Sequence, residues 1–177
     1  MTFTPDCRPV WLLDVDGVLN AARPGWGEDP GQGQAYVDGV AYLLRWAPGL
    51  ARRVTALHTA GAVEVRWATT WVDHIRQVER LLQLPSLSTA FRGLSTAAPV
   101  DPAELKLKAA LDVVELEQRP LIWTDDDAIP GMGPLLERIH DAGVPVLLLA
   151  PHTRHGLQPE DLDQIDDFLA ELTALAS

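Results

Sequence analysis

The stretch VWLLDVDGVLN, residues 10–20, decides the fold. Its apolar run from Val10 to Val15, bounded by Pro9 and Gly17, has the signature of a short strand buried on both faces. Yet the run holds Asp14 and stops at Asp16, and neighbouring carboxylates repel each other and form strands poorly. Working outward, the pattern predicts further strands at residues 62–68, 121–124 and 144–149. Helices are expected at 48–61, 71–83, 132–142 and 159–175, and another starts at Asp101-Pro102-Ala103-Glu104, where an N-cap, a first-turn proline and a capping-box acid coincide. Apolar strands alternating with helices are βαβ units. The expected fold is therefore α/β: a doubly wound, Rossmann-like parallel sheet flanked by helices.

Two segments interrupt the alternation. Residues 21–35 are rich in glycine and proline and read as loop. Asp38-Gly39 then stands between apolar stretches, the signal for a type I′ hairpin, so a small β-hairpin flap is expected after the first strand, at about residues 34–46. Residues 85–99 read as irregular, with a short strand near Ala90. The 177 residues suit one domain spanning 1–177.

A formal net charge of −11 argues against gripping nucleic acid by bulk charge, but allows a local site for a phosphorylated ligand built around a cation. No apolar run approaches a membrane span, and the start MTFTPDCRPV lacks a signal-like core. One cysteine, Cys7, forms no internal disulfide and is given no function. A cytoplasmic protein without membrane partners is expected, with homo-oligomerisation left open.

In open parallel sheets, ligands bind beyond the carboxyl ends of the strands. There the sequence puts Asp14 and Asp16, then Thr69 and Thr70 from RWATTW, then Asp125, Asp126 and Asp127 from IWTDDD. Strand-end aspartates are often only turn formers or caps. Converging in one crevice, they would need a hard divalent cation with oxygen ligands, for which Mg²⁺ is the natural choice. A calcium loop starting at Asp14 fails, since Val18, Leu19 and Gly25 occupy positions that need a ligand, a glycine and a glutamate.

DVDGVLN resembles the first motif, DxDG[VT], of the haloacid dehalogenase-like (HAD) hydrolase superfamily, most of whose members are Mg²⁺-dependent phosphatases. The order of WATT, a lysine and TDDD extends the resemblance over roughly residues 10–150. It implies a phosphoric monoester hydrolase with little or no cap and an open site. Asp14 would be the nucleophile that forms an aspartyl-phosphate. Asp16 would be the general acid and then base, touching the metal through its backbone carbonyl. Thr69 would bind the phosphoryl group, with Thr70 and Gly17 beside it. Asp126 is the preferred direct Mg²⁺ ligand and Asp125 the second choice. The lysine is either Lys106 or Lys108, which lie about 200° apart around a helix. Lys108 is preferred for its distance from the acidic strand.

The substrate is expected to be a phosphorylated compound, small or large. Phosphotransfer to an acceptor other than water is one alternative. A receiver-like signalling domain is another, although its acids are normally adjacent rather than spaced DxD. Trp11, Trp67 and Trp123 read as core. His152, Arg154 and His155 follow a strand and could edge the site.

Overall fold

In the computed structural model of the protein, which describes residues 8–93 and 101–175, the run Val10–Leu13 forms strand β1 with every side chain buried. Both its edges are covered by parallel neighbours, β4 (Glu64–Trp67) and β6 (Leu121–Thr124). β7 (Val146–Leu149) extends the sheet past β6, and the two-residue β5 (Ser88–Thr89) extends it past β4. The resulting order is β5-β4-β1-β6-β7, parallel throughout.

Alternation along β1 divides the core between two helical layers. Trp11 and Leu13 pack with residues of α1 (Pro48–Thr59), α2 (Ile75–Leu82) and α5 (Pro159–Leu175). Val10 and Leu12 pack with residues of α3 (Pro102–Leu111) and α4 (Pro134–Asp141). Each such side chain contributes about 1.5–3 kcal/mol by burial, enough to fix the register of a four-residue strand. The doubly wound α/β fold is as expected. Trp11, Trp67 and Trp123 are fully buried, as core residues should be.

The hairpin joins β2 (Gly31–Val37) to β3 (Val40–Trp46). Asp38 and Gly39 at its tip have φ of 49° and 83°, the paired positive values of a type I′ turn. β2 begins inside the stretch read as loop. Its glycines do not break the strand because they admit neighbours: a Cβ on Gly31 would meet the Trp46 ring at 2.4 Å, and one on Gly33 would meet Leu81 at 2.7 Å.

Two helix starts differ from the sequence reading. α2 starts at Ile75, not at residue 71, because turns occupy residues 71–74 and hold Trp71 toward β1. α4 starts at Pro134. α3 begins as read, with the Asp101 carboxylate accepting from the Ala103 N–H at 3.0 Å, and then runs into a π-turn at Asp112–Leu116. The strand expected near Ala90 is β5, whose end is marked by the Ala90 N–H donating to Trp67 O. Cys7 lies outside the described residues. No helix among the described residues is long and apolar enough to cross a membrane.

Candidate active site at the carboxyl edge of the sheet

β1, β4 and β6 end side by side, so the residues that follow them meet: Asp14, Thr69 and Asp125, at 4%, 0% and 0% exposure. Asp14, Asp125 and the half-buried Asp126 each offer a carboxylate oxygen, and these three atoms lie within 4.8 Å of one another. Asp126 gets this close because of Gly17. That residue has a φ of +71°, and a Cβ on it would sit 2.1 Å from Asp126 Oδ2. Glycine here is both a conformational and a steric requirement.

Lys106 enters the cluster from α3, with Nζ 2.7 Å from Asp14 Oδ2 and 2.8 Å from Asp125 Oδ2. The approach to Asp14 is a hydrogen bond. The approach to Asp125 Oδ2 is an ion pair by distance, but that buried oxygen accepts no well-directed hydrogen bond. Asp14 Oδ1 accepts from the Val15 N–H at 2.7 Å, and Asp125 Oδ1 from the N–H groups of Asp127 and Ala128.

One buried ammonium thus sits between two buried carboxylates, with the exposed Asp127 carboxylate farther off at 4.0 Å. Burial pushes the Asp14 carboxyl up to about 7; Lys106 opposes the rise and the Asp125 charge adds to it. For Lys106, burial alone would favour the neutral amine, yet Asp14 and Asp125 outweigh it and the group is raised above the usual lysine range. These residues fit a hard divalent ion. They are three oxygen donors with two negative charges in excess of the lysine, and one buried Asp125 oxygen lacks a directed partner.

Asp16 stands apart from this cluster and is exposed. Its Oδ1 accepts from Asn20 Nδ2 and its Oδ2 from Trp71 Nε1, both at 2.7 Å. Both donors lead to the hairpin: Asn20 Oδ1 accepts from the Arg45 N–H at 2.8 Å, and Trp71 packs edge-on against Tyr42, with ring centroids 5.7 Å apart. The flap therefore fixes the orientation of the Asp16 carboxylate. A cavity of about 300 Å³ beside it is lined by Asp16, Tyr42, Thr70, Trp71 and His74, among others.

The sequence's preference between the two lysines is reversed. Lys108 is exposed and pairs with Asp112 one turn along, away from the carboxylates, whereas Lys106 is at 5% exposure and reaches them. The phase of α3 explains this. Lys106, Ala109, Ala110 and Val113 are buried and fall at the i, i+3, i+4 and i+7 spacing of one helical face. Asp125 and Asp126 are both in the cluster, and the Asp16 side chain is not. Thr69 is buried beside Asp14, while Thr70 opens to the cleft. The open site expected from sequence applies to Asp16 but not to Asp14, which is buried. His152 and Arg154 edge a second cavity that includes Asp16. Sequence reading missed Asn20, Trp71 and Arg45, whose roles depend on the hairpin folding back. The chain matches no known protein-family model and no curated protein sequence.

Proposed function

We propose that the protein is a Mg²⁺-dependent phosphatase of the HAD-like type, acting through an aspartyl-phosphate on Asp14. The observation that carries this reading is the trio Asp14, Asp125 and Asp126 beside the central strand's end, two of whose carboxylates Lys106 bridges, with the separately held Asp16 two residues along from Asp14. Asp14, Asp125 and Asp126 would hold the ion, which supplies charge neutralisation and polarisation of the phosphoryl oxygens. Lys106 holds the Asp14 carboxylate in place and offsets charge on the transferring group.

In the first step an Asp14 oxygen attacks phosphorus, the P–O ester bond breaks, and Asp16 gives its proton to the departing alkoxide. In the second step water attacks the phosphorus of the acyl phosphate. Its proton passes to Asp16, inorganic phosphate leaves, and Asp14 is restored. The hydrogen bonds from Asn20 and Trp71 aim the Asp16 carboxylate, which otherwise rotates freely about χ2. A receiver-like role has no use for an acid held in this way at the cleft.

The test is hydrolysis of 4-nitrophenyl phosphate with Mg²⁺ and with excess chelator, in the native protein and in Asp14→Asn. Turnover that needs Mg²⁺ and is lost in the folded variant is expected. Undiminished turnover in Asp14→Asn would overturn the covalent mechanism.

A further inference from the structure

The chain has a net charge of −11 and twelve arginines, half of which are held by carboxylates. Arg52, Arg53, Arg66, Arg76, Arg119 and Arg138 each sit against a carboxylate. Arg45 and Arg154 pair with none among the described residues, although they come from distant parts of the chain to one place. Both line a cavity of about 630 Å³ whose wall also contains Asp16, Gly17, Leu43 and His152. That volume is in the range of small-molecule sites.

The backbones carrying these two arginines are fixed. Arg45 donates its N–H to Asn20 Oδ1 at 2.8 Å, and its carbonyl accepts from the Ala21 N–H at 2.9 Å. The guanidinium itself makes only a long contact, 3.4 Å, to Ala22 O. Arg154 O accepts from the Arg23 N–H at 2.8 Å, and the turn that follows is clamped onto the loop after β1. Gly156, at φ +66°, packs so tightly there that a Cβ would lie 2.3 Å from Val18 O, and the Leu157 N–H donates to that same oxygen at 2.9 Å. Two forked cations that pair with no carboxylate among the described residues thus line the same cavity as Asp16 and His152. A guanidinium offers paired parallel donors that match a phosphate or a carboxylate.

We propose that Arg45 and Arg154 form a subsite for a second anionic group, so that the substrate is a phosphomonoester carrying a further phosphate or carboxylate. The proposal rests on the phosphatase reading for the word substrate, while the anion subsite itself does not. Reaction at Asp14 puts the scissile phosphoryl group near Asp16 and Gly17, and these residues share the cavity with the two arginines. The second anion is then held by the same molecule's far end. This also gives the flap a function, because Arg45 is on β3 and its backbone carries Asn20, a donor to Asp16.

The test compares α,ω-alkanediol bisphosphates and ω-carboxyalkyl phosphates of increasing length with alkyl monophosphates of the same length. kcat/KM is measured in the native protein, in Arg45→Gln, in Arg154→Gln and in Arg80→Gln, a distant exposed control. The native protein should favour the doubly anionic compounds at one chain length, and that preference should fall about ten- to a hundredfold in each cleft variant but not in the control. Whichever series shows the larger preference identifies the second group as phosphate or carboxylate. A second arm measures binding of non-hydrolysable alkane bisphosphonates by calorimetry in the presence of Mg²⁺. Arginine-dependent binding without hydrolysis of any ester would sink the phosphatase reading and leave the anion subsite standing. Hydrolysis with equal kcat/KM for singly and doubly anionic esters would sink the subsite and leave the phosphatase standing, as would binding that both arginine variants retain in full.

Discussion

Replacing Lys106 with Met tests the site without assuming any reaction. The ammonium lies 2.7 Å from Asp14 and 2.8 Å from Asp125, and the three side chains are at 6%, 6% and 0% exposure. Methionine fills much the same volume, so the loss is chiefly of charge. Removing one partner of a buried pair costs about 3–5 kcal/mol, because the other charge stays buried and uncompensated. The cost does not double for two carboxylates, since Asp14 has a pKa already raised to about 7 and can take up a proton. For a chain of this length the change corresponds to a Tm lower by about 6–20 °C. Lys108→Met removes only an exposed i, i+4 pair worth about 0.3–0.5 kcal/mol, so its Tm should move by less than about 2 °C.

The effect also has a defined pH dependence. A carboxyl whose pKa is raised on folding binds more protons in the native state, so stability falls as pH rises from its unfolded value toward its folded one. In the native protein that window runs from 3.8 to about 7 for Asp14. Loss of Lys106 extends the window upward, so Lys106→Met should be worst in alkaline buffer and recover partly on acidification. Adding Asp14→Asn removes one of the stranded charges, so the double variant should be more stable than the sum of the single losses predicts. Thermal and urea unfolding followed by circular dichroism, in chelator and at several pH values, measures all of this. Equal losses for Lys106→Met and Lys108→Met, or strictly additive effects of the Asp14 and Lys106 changes, would refute the buried-cluster reasoning.

Three other perturbations probe separate parts of the molecule. Mg²⁺ at a hundredfold excess over its Kd should stabilise the native protein by about 2.7 kcal/mol. Gly17→Ala should abolish most of that gain in a melting titration, since its Cβ would displace the Asp126 carboxylate. Trp71→Phe removes one of the two donors that aim Asp16; kcat should drop about tenfold for alkyl phosphates and less for aryl phosphates, and equal losses across leaving groups would contradict the general-acid role. At the opposite end of the sheet, hydrogen bonds from Arg66, against a smaller opposing effect of burial, lower Glu64 from 4.5 to about 2. Its stabilisation is full above pH 4.5 and lost as pH falls toward 2, so Glu64→Gln should be less stable than the native protein near neutrality and indistinguishable from it below pH 2, as acid unfolding curves will show.

What could be read in the sequence divides along the range of the interactions involved. Val10–Leu13 is a strand because of its own composition, and Asp38-Gly39 turns because of its own backbone preferences; both were legible locally. The strand within residues 21–35 was not, because Gly31 and Gly33 lower strand propensity and are tolerated only where Trp46 and Leu81 pack on them. Lys106 is the instructive case. Leu105 and Leu107 flank it, so the immediate neighbourhood gives no phase, and distance along the chain favoured Lys108. The phase was nevertheless present a turn further on, in Ala109, Ala110 and Val113, whose stripe continues back through 106 and not through 108. A lysine placed on the buried stripe of a helix has to meet a buried anion, because an unpaired ammonium there would be too costly. By that rule the stripe on α3 points to a buried anion such as Asp14 or Asp125 as the partner of Lys106. The reverse inference holds as well: carboxylates as deeply buried as Asp14 and Asp125 require a cation from some other element, and α3 supplies it through Lys106. The charge that remains after that pairing is what a cation held by Asp14, Asp125 and Asp126 would neutralise, and the pairing itself leaves Lys106 no part in the proposed anion subsite. That task falls to Arg45 and Arg154, the two guanidinium groups lining the cleft that no carboxylate among the described residues has claimed.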